Sequence, residues 1–382
     1  MADCTFQWLR TGDDAFAEML RAIDAAQQSV RLETYIFAPG ALAQQFRSAL
    51  LRARERGINV RVLVDALGSY NLSNSFWTPL EQAGGLFRWF NPLHYRRISF
   101  RDHRKLLVCD DHVALIGGLN IAPEYQGNGV TAGWRDLGLK LFGNLARELA
   151  AAFDDLFARA DFQHPLFTRL RRSRSRRAIP IQGGELLLSG PGRGRNPIEQ
   201  ALLADLERPR RVQVIAAYFL PTGHLRRALT RAVRRGATAQ LILPSKSDVP
   251  FSRLASRSLY ERLLRAGVEI YEYQPQILHT KLVLVDDVCY AGSANLDARS
   301  LRINYELMVR LDHTELVEGA RDIFKDHLLH SHKIDRRSWR ASRGFWARLK
   351  ERWACFILAR LDLMLMRRQL PLLTRRRSSD DR

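Results

Sequence analysis

Two stretches of the chain hold the residue types best suited to reaction chemistry. HRKLLVCDD occupies residues 103–111, and HTKLVLVDD occupies 279–287, 176 positions later. Each reads H-x-K-x-x-x-x-D, and each runs on to a small-residue turn that ends in asparagine, GGLN at 117–120 and GSAN at 292–295. On a β-strand, side chains two apart share a face, so His103 and Lys105 point the same way, as do His279 and Lys281. Asp110 and Asp286 have the opposite parity, so on a regular strand they look away and fix the framework. An imidazole beside an ammonium suits an anion. A metal site wants acids or further imidazoles, and a neighbouring ammonium repels the cation, so neither a metal nor another cofactor is expected.

Two such pairs around one pocket suffice for phosphoryl transfer. One imidazole attacks phosphorus and forms a phosphoenzyme. The other, protonated, gives its proton to the departing oxygen and later takes one from the acceptor hydroxyl. Lys105 and Lys281, with the amides of Asn120 and Asn295, are expected to bind the non-bridging oxygens. A single H-x-K is a weak signal; two copies with matched followers are a strong one.

The elements that must position these residues are also written twice. SVRLETYIF (29–37) reads as a strand, ALAQQFRSALLRARERG as an amphipathic helix and INVRVLVDALGS as a strand. RVQVIAAYF (211–219), the helix through HLRRALTRAVRRG and ATAQLILPSKSD repeat the series, and AGGLFRWFNP corresponds to RAGVEIYEYQP just before each histidine strand. This alternation predicts an α/β fold with a mixed or parallel sheet in each half. Glu33 and Tyr35 lie on the first strand. Tyr218 is read as the counterpart of Tyr35, and both tyrosines as core residues in preference to the lining of a lipid entrance. His112, beside Asp110 and Asp111, reads as an exposed loop residue rather than a ligand.

The net charge of +20 is concentrated in two places. Residues 164–184 contain six arginines and no acid, and residues 336–382 contain 14 lysines or arginines against four acids. The first is an Arg/Ser-rich connector. In the second, Trp346, Leu349, Trp353, Phe356, Ile357, Leu361 and Met364 recur at helical spacing with arginines and Lys350 opposite, which fits a basic amphipathic helix in a headgroup layer or one docked on the protein's own core. The division is a first lobe at 1–163, the connector at 164–184, a second lobe at 185–335 and the tail at 336–382. Four cysteines without C-x-x-C spacing argue against a zinc site or a disulfide framework. The first residues are charged too early for a secretory signal, and no run reaches the roughly 20 apolar residues that span a bilayer.

HRKLLVCDDHVALIGGLN and HTKLVLVDDVCYAGSAN resemble the paired motifs of the phospholipase D superfamily. ETYIF, AYF, WRD (134–136) and NLDARSLRINYE (295–306) extend the likeness over nearly the whole chain. The basic connector and the Trp-containing basic tail are most similar to bacterial cardiolipin synthases of the shorter kind, without N-terminal membrane spans. The resemblance implies two pseudo-twofold-related α/β/α lobes, each with a central mixed sheet, and an active site at their interface. It groups the motif aspartates Asp110 and Asp286 with the catalytic His103, Lys105, His279 and Lys281. It makes His103 the nucleophile and His279 the acid/base, and it places Asp136 and Glu306 where each orients the other lobe's histidine.

The implied reaction moves a phosphatidyl group from one phosphatidylglycerol to another through a phosphohistidine and releases glycerol. A phospholipase D-type hydrolase or a nuclease could use the same site. The interleaved aromatic and aliphatic residues of the tail favour lipid over nucleic acid, so the expected partners are anionic phospholipid and the cytoplasmic face of a bacterial inner membrane. One departure from the pattern stands out. Six residues separate Asp110 from Gly117 but five separate Asp286 from Gly292, which puts the placement of Ser293 and Asn295 in question.

Overall fold

The structure, a computed structural model, describes residues 6–92, 99–160, 176–192 and 195–358. The aliphatic runs of the first half become β1 (Phe6–Leu9), β2 (Ser29–Thr34), β3 (Asn59–Asp65), β4 (Leu86–Phe90), β5 (Leu106–Cys109), β6 (Val113–Gly117) and β7 (Gly138–Phe142). They form one sheet in the order β1-β7-β6-β5-β2-β3-β4. Its β2, β3 and β4 are parallel, and the remaining neighbours are antiparallel. Parallel neighbours need a crossover, supplied by α2 (Ala41–Glu55) between β2 and β3 and α3 (Thr78–Gln82) between β3 and β4. α1 (Gly12–Ala25) begins at Thr11, whose hydroxyl accepts from the Asp14 amide at 3.1 Å. α4 (Asn144–Phe157) follows β7.

The second half gives β8 (Arg177–Ile181), β9 (Gly184–Ser189), β10 (Arg211–Ala216), β11 (Phe219–Leu220), β12 (Thr238–Pro244), β13 (Glu269–Tyr273), β14 (Lys281–Val285), β15 (Val288–Gly292), β16 (Leu296–Asp297), β17 (Glu306–Leu311) and β18 (Ser331–Lys333). Its helices are α5 (Pro197–Asp205), α6 (Gly223–Arg234), α7 (Pro250–Arg257), α8 (Tyr260–Arg265), α9 (Ala298–Arg302), α10 (Thr314–Leu329) and α11 (Arg336–Ala341). Within the sheet order β8-β9-β17-β15-β14-β10-β12-β13-β18, the inner seven strands repeat the first sheet strand for strand. β8 and β18 extend its two edges. β11 and β16 pair separately.

α4 and α10 form a layer between the sheets. Leu149 and Phe153 of α4 and Ile323 and Phe324 of α10 share one core with Leu106, Val108, Leu282 and Leu284 on the sheets' inner faces. At about 1.5–3 kcal/mol for each large apolar side chain buried, this shared layer holds the halves together. α1 and α2 cover the outer face of the first sheet, and α5 to α8 that of the second. β5 and β14 are buried on both faces, which explains why the residues after each His–Lys pair are continuously apolar rather than alternating.

Two boundaries differ from the sequence reading. Arg177–Ile181, placed in the connector, pairs with β9 as an edge strand, so the second sheet begins there; residues 164–175 of the expected connector, and 161–163 before it, lie outside the described residues. The first part of the tail is docked on the second lobe. Trp339 of α11 is buried against Tyr260, and a helix over residues 345–358 buries Ala354 and packs Cys355 and Leu358 on the same core. Its other face exposes Phe345, Trp346, Trp353 and Phe356. Leu361 and Met364 lie outside the described residues.

Candidate active site

Each motif histidine is held at the seam between the lobes by backbone pairing with the opposite half. The His103 amide donates to the Tyr305 carbonyl at 3.0 Å, and the Tyr305 amide donates to the Arg101 carbonyl at 2.9 Å. Symmetrically, the His279 amide donates to the Arg135 carbonyl at 2.7 Å, and the Arg135 amide to the Ile277 carbonyl at 2.8 Å. In each case the residue that follows the bridging one is an acid, Glu306 or Asp136. The crossing therefore puts each carboxylate against the other lobe's imidazole. Nδ1 of His103 lies 3.0 Å and 3.1 Å from the two oxygens of Glu306, and Nδ1 of His279 lies 2.6 Å from Oδ2 of Asp136.

With each Nδ1–H donating to its carboxylate, Nε2 is the nitrogen that faces the chemistry; on His279 it has Lys281 Nζ at 3.3 Å and the Tyr125 hydroxyl at 3.5 Å beside it. All six side chains are buried. Lys105 donates to the His103 carbonyl at 2.7 Å, and Lys281 donates to the His279 carbonyl, so each ammonium is folded back beside its own histidine. Tyr35 stands 5.0 Å from the His103 ring, and Tyr125, Trp134 and Tyr218 stand 5.3, 5.6 and 6.2 Å from the His279 ring.

The electrostatics follow from burial. Desolvation pushes His103 down to about 4, with Lys105 and Lys281 adding to the effect against the pull of Glu306, so this imidazole is neutral near pH 7. Burial also brings Lys105 down to about 7. His279 and Lys281 are lowered in the same direction by burial, and His279 further by Lys281. Burial acts to raise Glu306, but His103, Lys105 and the Ser293 hydroxyl outweigh it and hold the carboxyl below its ordinary value. The site thus assembles two neutral imidazoles and two destabilised cations, and it gains most from an anion that re-charges the lysines. Among the described residues no cluster of three or more potential ligands could hold a metal.

Asp110 and Asp286 stand apart from this pocket. Asp110 accepts from the amides of Gln27, Gln28 and Ser29 at 2.7–2.9 Å, and Asp286 from those of Arg210 and Arg211 at 2.8–3.1 Å. Grouping them with the catalytic side chains is therefore corrected to the role their parity gave: each clamps the start of its lobe's central parallel strand, β2 or β10. Asn120 is also revised. Its amide donates to the Tyr125 hydroxyl at 2.7 Å, and its oxygen accepts from the Ile36 amide at 3.2 Å, so it supports Tyr125 beside His279 rather than facing substrate directly. The Asn295 side-chain oxygen is buried without a donor among the described residues.

The missing residue of the second motif is absorbed in its turn. Three residues link Cys109 to Val113, but two link Val285 to Val288. Asp110, Asp111 and Asp286 take left-handed backbone angles there, with φ of 50–55°, which aspartate tolerates. Beyond the turn, Leu106 pairs Ile116 as Leu282 pairs Ala291, so Gly117 and Gly292, and all that follows, keep equivalent places.

Several residues of the quoted motifs have supporting roles that the sequence reading did not assign. Ser293 and Ser300 donate to the two oxygens of Glu306 at 2.5 and 2.7 Å. Asp297 fixes Ser300 by capping α9, accepting from its amide at 2.8 Å. Gly118 is the register counterpart of Ser293; a Cβ there would meet both carboxylate oxygens of Asp136 well inside van der Waals contact. The strand register also corrects the tyrosine pairing: Tyr35 matches Ala217 and Ile36 matches Tyr218, since Phe37 and Phe219 occupy equivalent bridges. Both tyrosines are half-buried beside a histidine, not core residues. His112 is exposed.

The model of the family described as "Cardiolipin synthase, PLD-like domain" matches residues 19–130 and 202–328. Cardiolipin synthase 1 of Bacillus cereus is 31% identical over 343 residues, covering 86% of this chain and 67% of its own. Cardiolipin synthase A of Cronobacter sakazakii is 30% identical, with 91% and 73% covered, and the cardiolipin synthase of Geobacillus kaustophilus 32%, with 90% and 70%. Among solved structures, phosphatidylserine synthase of Haemophilus influenzae superposes with a TM-score of 0.70 at 16% identity, covering 97% of this chain and 95% of that one. At that identity the likeness is one of fold.

Proposed function

The chain belongs to the cardiolipin synthase family of phospholipase D-like proteins, and from that premise we propose that it converts two phosphatidylglycerol molecules into cardiolipin and glycerol. The observation that carries this reading is the crossed pairing of His103 with Glu306 and His279 with Asp136, which leaves two Nε2 atoms and two lysines for one phosphodiester. Nε2 of neutral His103 attacks phosphorus, and the bond to the glycerol oxygen breaks. His279, protonated, gives that oxygen its proton. Entry of the anionic diester raises the proton affinity of both lysines and of His279, so substrate itself prepares the acid. Lys105 and Lys281 neutralise the non-bridging oxygens as charge shifts in the transition state. Neutral His279 then takes the proton of a second phosphatidylglycerol's hydroxyl, whose oxygen attacks the phosphatidyl-His103 and returns the imidazole.

The substrate is reached at an anionic membrane surface, on the cytoplasmic side of the bacterial inner membrane. The helix over 345–358 supports contact with an anionic membrane surface: docked through one face, it offers Trp346 and Trp353 on the other with Arg348, Lys350 and Arg352 exposed beside them. Aromatic rings flanked by cations fit a headgroup layer. Among the described residues no helix is long and apolar enough to cross a membrane.

Incubation with labelled phosphatidylglycerol vesicles tests the reading. A diphosphatidyl product with equimolar glycerol is expected; phosphatidic acid as the main product would replace it with hydrolysis. The double change Trp346→Ala, Trp353→Ala should weaken co-sedimentation with anionic vesicles roughly tenfold and leave thermal unfolding unmoved, since both rings are already in solvent.

A further inference from the structure

Beneath the nucleophile's side of the pocket lies a set of buried charges that the proposed chemistry does not use. Glu33 on β2 and Asp102, next to His103, are 1% and 0% exposed. Both oxygens of Glu33 and Oδ2 of Asp102 have no hydrogen-bond donor among the described residues. The nearest cation, Arg104, keeps its guanidinium 4.0 Å from Glu33 and donates to the Ala152 carbonyl instead. Asp65 close by is in a different condition. Its carboxylate accepts from the amides of Leu67, Gly68 and Asp102 and from Arg101, at 2.8–3.3 Å.

Leaving three buried carboxylate oxygens without a protein donor is among the costlier arrangements a core can hold. Glu33 and Asp102 are, however, within hydrogen-bonding reach of each other. One proton between them supplies the missing donor. It also leaves a single negative charge, which Arg104 balances. The other lobe places Ile215 and Leu278 at the equivalent register positions, so the arrangement serves the first histidine's side only.

We propose that Glu33 and Asp102 share one proton and act as a positioning pair whose remaining negative charge keeps Lys105 protonated for phosphate binding. Burial raises the proton affinity of both acids; Glu33 raises that of Asp102 further, while the hydrogen bond from Asp102 lowers that of Glu33, so the shared proton rests mainly on Asp102. Lys105 itself faces Glu306 from β17, Lys281 from β14, Asp136 ahead of β7 and Asp102 from its own segment. The pair faces Arg104, Lys105 and Asp65. Lys105 is therefore held between competing charges, and one charge behind it moves its titration. The functional part of this inference rests on the lipid-transfer reading; the shared proton does not.

The test compares Glu33→Gln, Asp102→Asn and the double variant. With one shared proton, an amide at either position takes over the donor's part and leaves the other acid ionised, so the charge behind Lys105 is unchanged. Each single variant should keep the alkaline limb of kcat/KM within about 0.3 pH unit, while the double variant, which removes the last negative charge, should move it down by about one unit. Infrared difference spectra at neutral pH should contain one protonated-carboxyl stretch in the parent that is lost in all three variants. A single variant moving the limb by half or more of the double variant's shift overturns the proposal, as does a parent carboxyl band that no variant removes. The infrared arm needs no substrate, so it decides the shared proton even if the parent makes no cardiolipin, a result that counts against the lipid-transfer reading instead.

Discussion

Behind the first histidine lie Glu33, Asp65, Arg101, Asp102 and Arg104; at the same register positions behind the second lie Ile215, Pro244, Ile277, Leu278 and Thr280. The strands that present the two His–Lys pairs are equivalent residue for residue, yet one rests on buried charge and the other on uncharged side chains. Around the rings the contrast reverses. His103 has Tyr35 beside it, while His279 sits among Tyr125, Trp134 and Tyr218. Even the carboxylates are held differently: two serine hydroxyls grip Glu306, whereas Asp136 fits because Gly118 has no side chain. Twofold symmetry can thus set geometry while the surroundings assign roles. A nucleophile needs a fixed protonation state. An acid/base must change its own within each turnover.

The strongest way to break this comparison is to remove each ring in turn. His103→Ala should lower turnover by on the order of 10⁵-fold and abolish a trappable phosphoenzyme. His279→Ala should cost about 10²- to 10⁴-fold on phosphatidylglycerol, but only roughly tenfold on a phosphatidyl ester whose leaving group needs no proton. Equal losses on both substrates would erase the distinction between the halves. The crossed acids sharpen it further. Glu306→Gln, which misplaces the His103 proton, should lower turnover by roughly 10³-fold whatever the leaving group, while a good leaving group should rescue Asp136→Asn.

Smaller effects probe how the acids are seated. Gly118→Ala should displace Asp136 and reduce kcat by about 30-fold, whereas Ser293→Ala removes one of several donors to Glu306 and should cost roughly tenfold. Stopped-assay kinetics on both variants would check the order. The mildest test is the pH profile. Lys105, brought down to about 7, is a cation below that pH and loses its charge above it, while His103, brought down to about 4, is a free base above that pH. kcat/KM should therefore decline below about pH 4 and fall roughly tenfold per unit beyond pH 7, with His279, the acid whose own proton affinity burial lowers, adding a decline that begins below its ordinary range. The alkaline limb of kcat should sit higher, because bound phosphate favours the charged lysine.

Much of this was legible in the residues themselves. Strand parity separates His103 and Lys105 from Asp110 without any coordinates, and the repeat of strand and helix patterns foretells two like sheets. Three things were hidden for physical reasons. Which face of the 345–358 helix docks depends on what the second lobe offers it, and periodicity alone is blind to that. The hairpin shortened by one residue looked like a threat to Ser293 because spacing does not say where slack is taken up; a turn takes it up at little cost. Gly118 reads as an ordinary turn glycine until Asp136 is seen filling the space where its side chain would be.

The backbone bridges at Tyr305 and Arg135 carry a consequence for genetics. A lesion here cannot be assigned to the half in which it lies: damage at Asp136 is felt by a ring 143 residues away, and damage at Glu306 by one 203 residues upstream. Suppressors of a first-lobe acid substitution should therefore map to the second lobe. Separately expressed halves should each be inert and recover activity only as a reassembled pair.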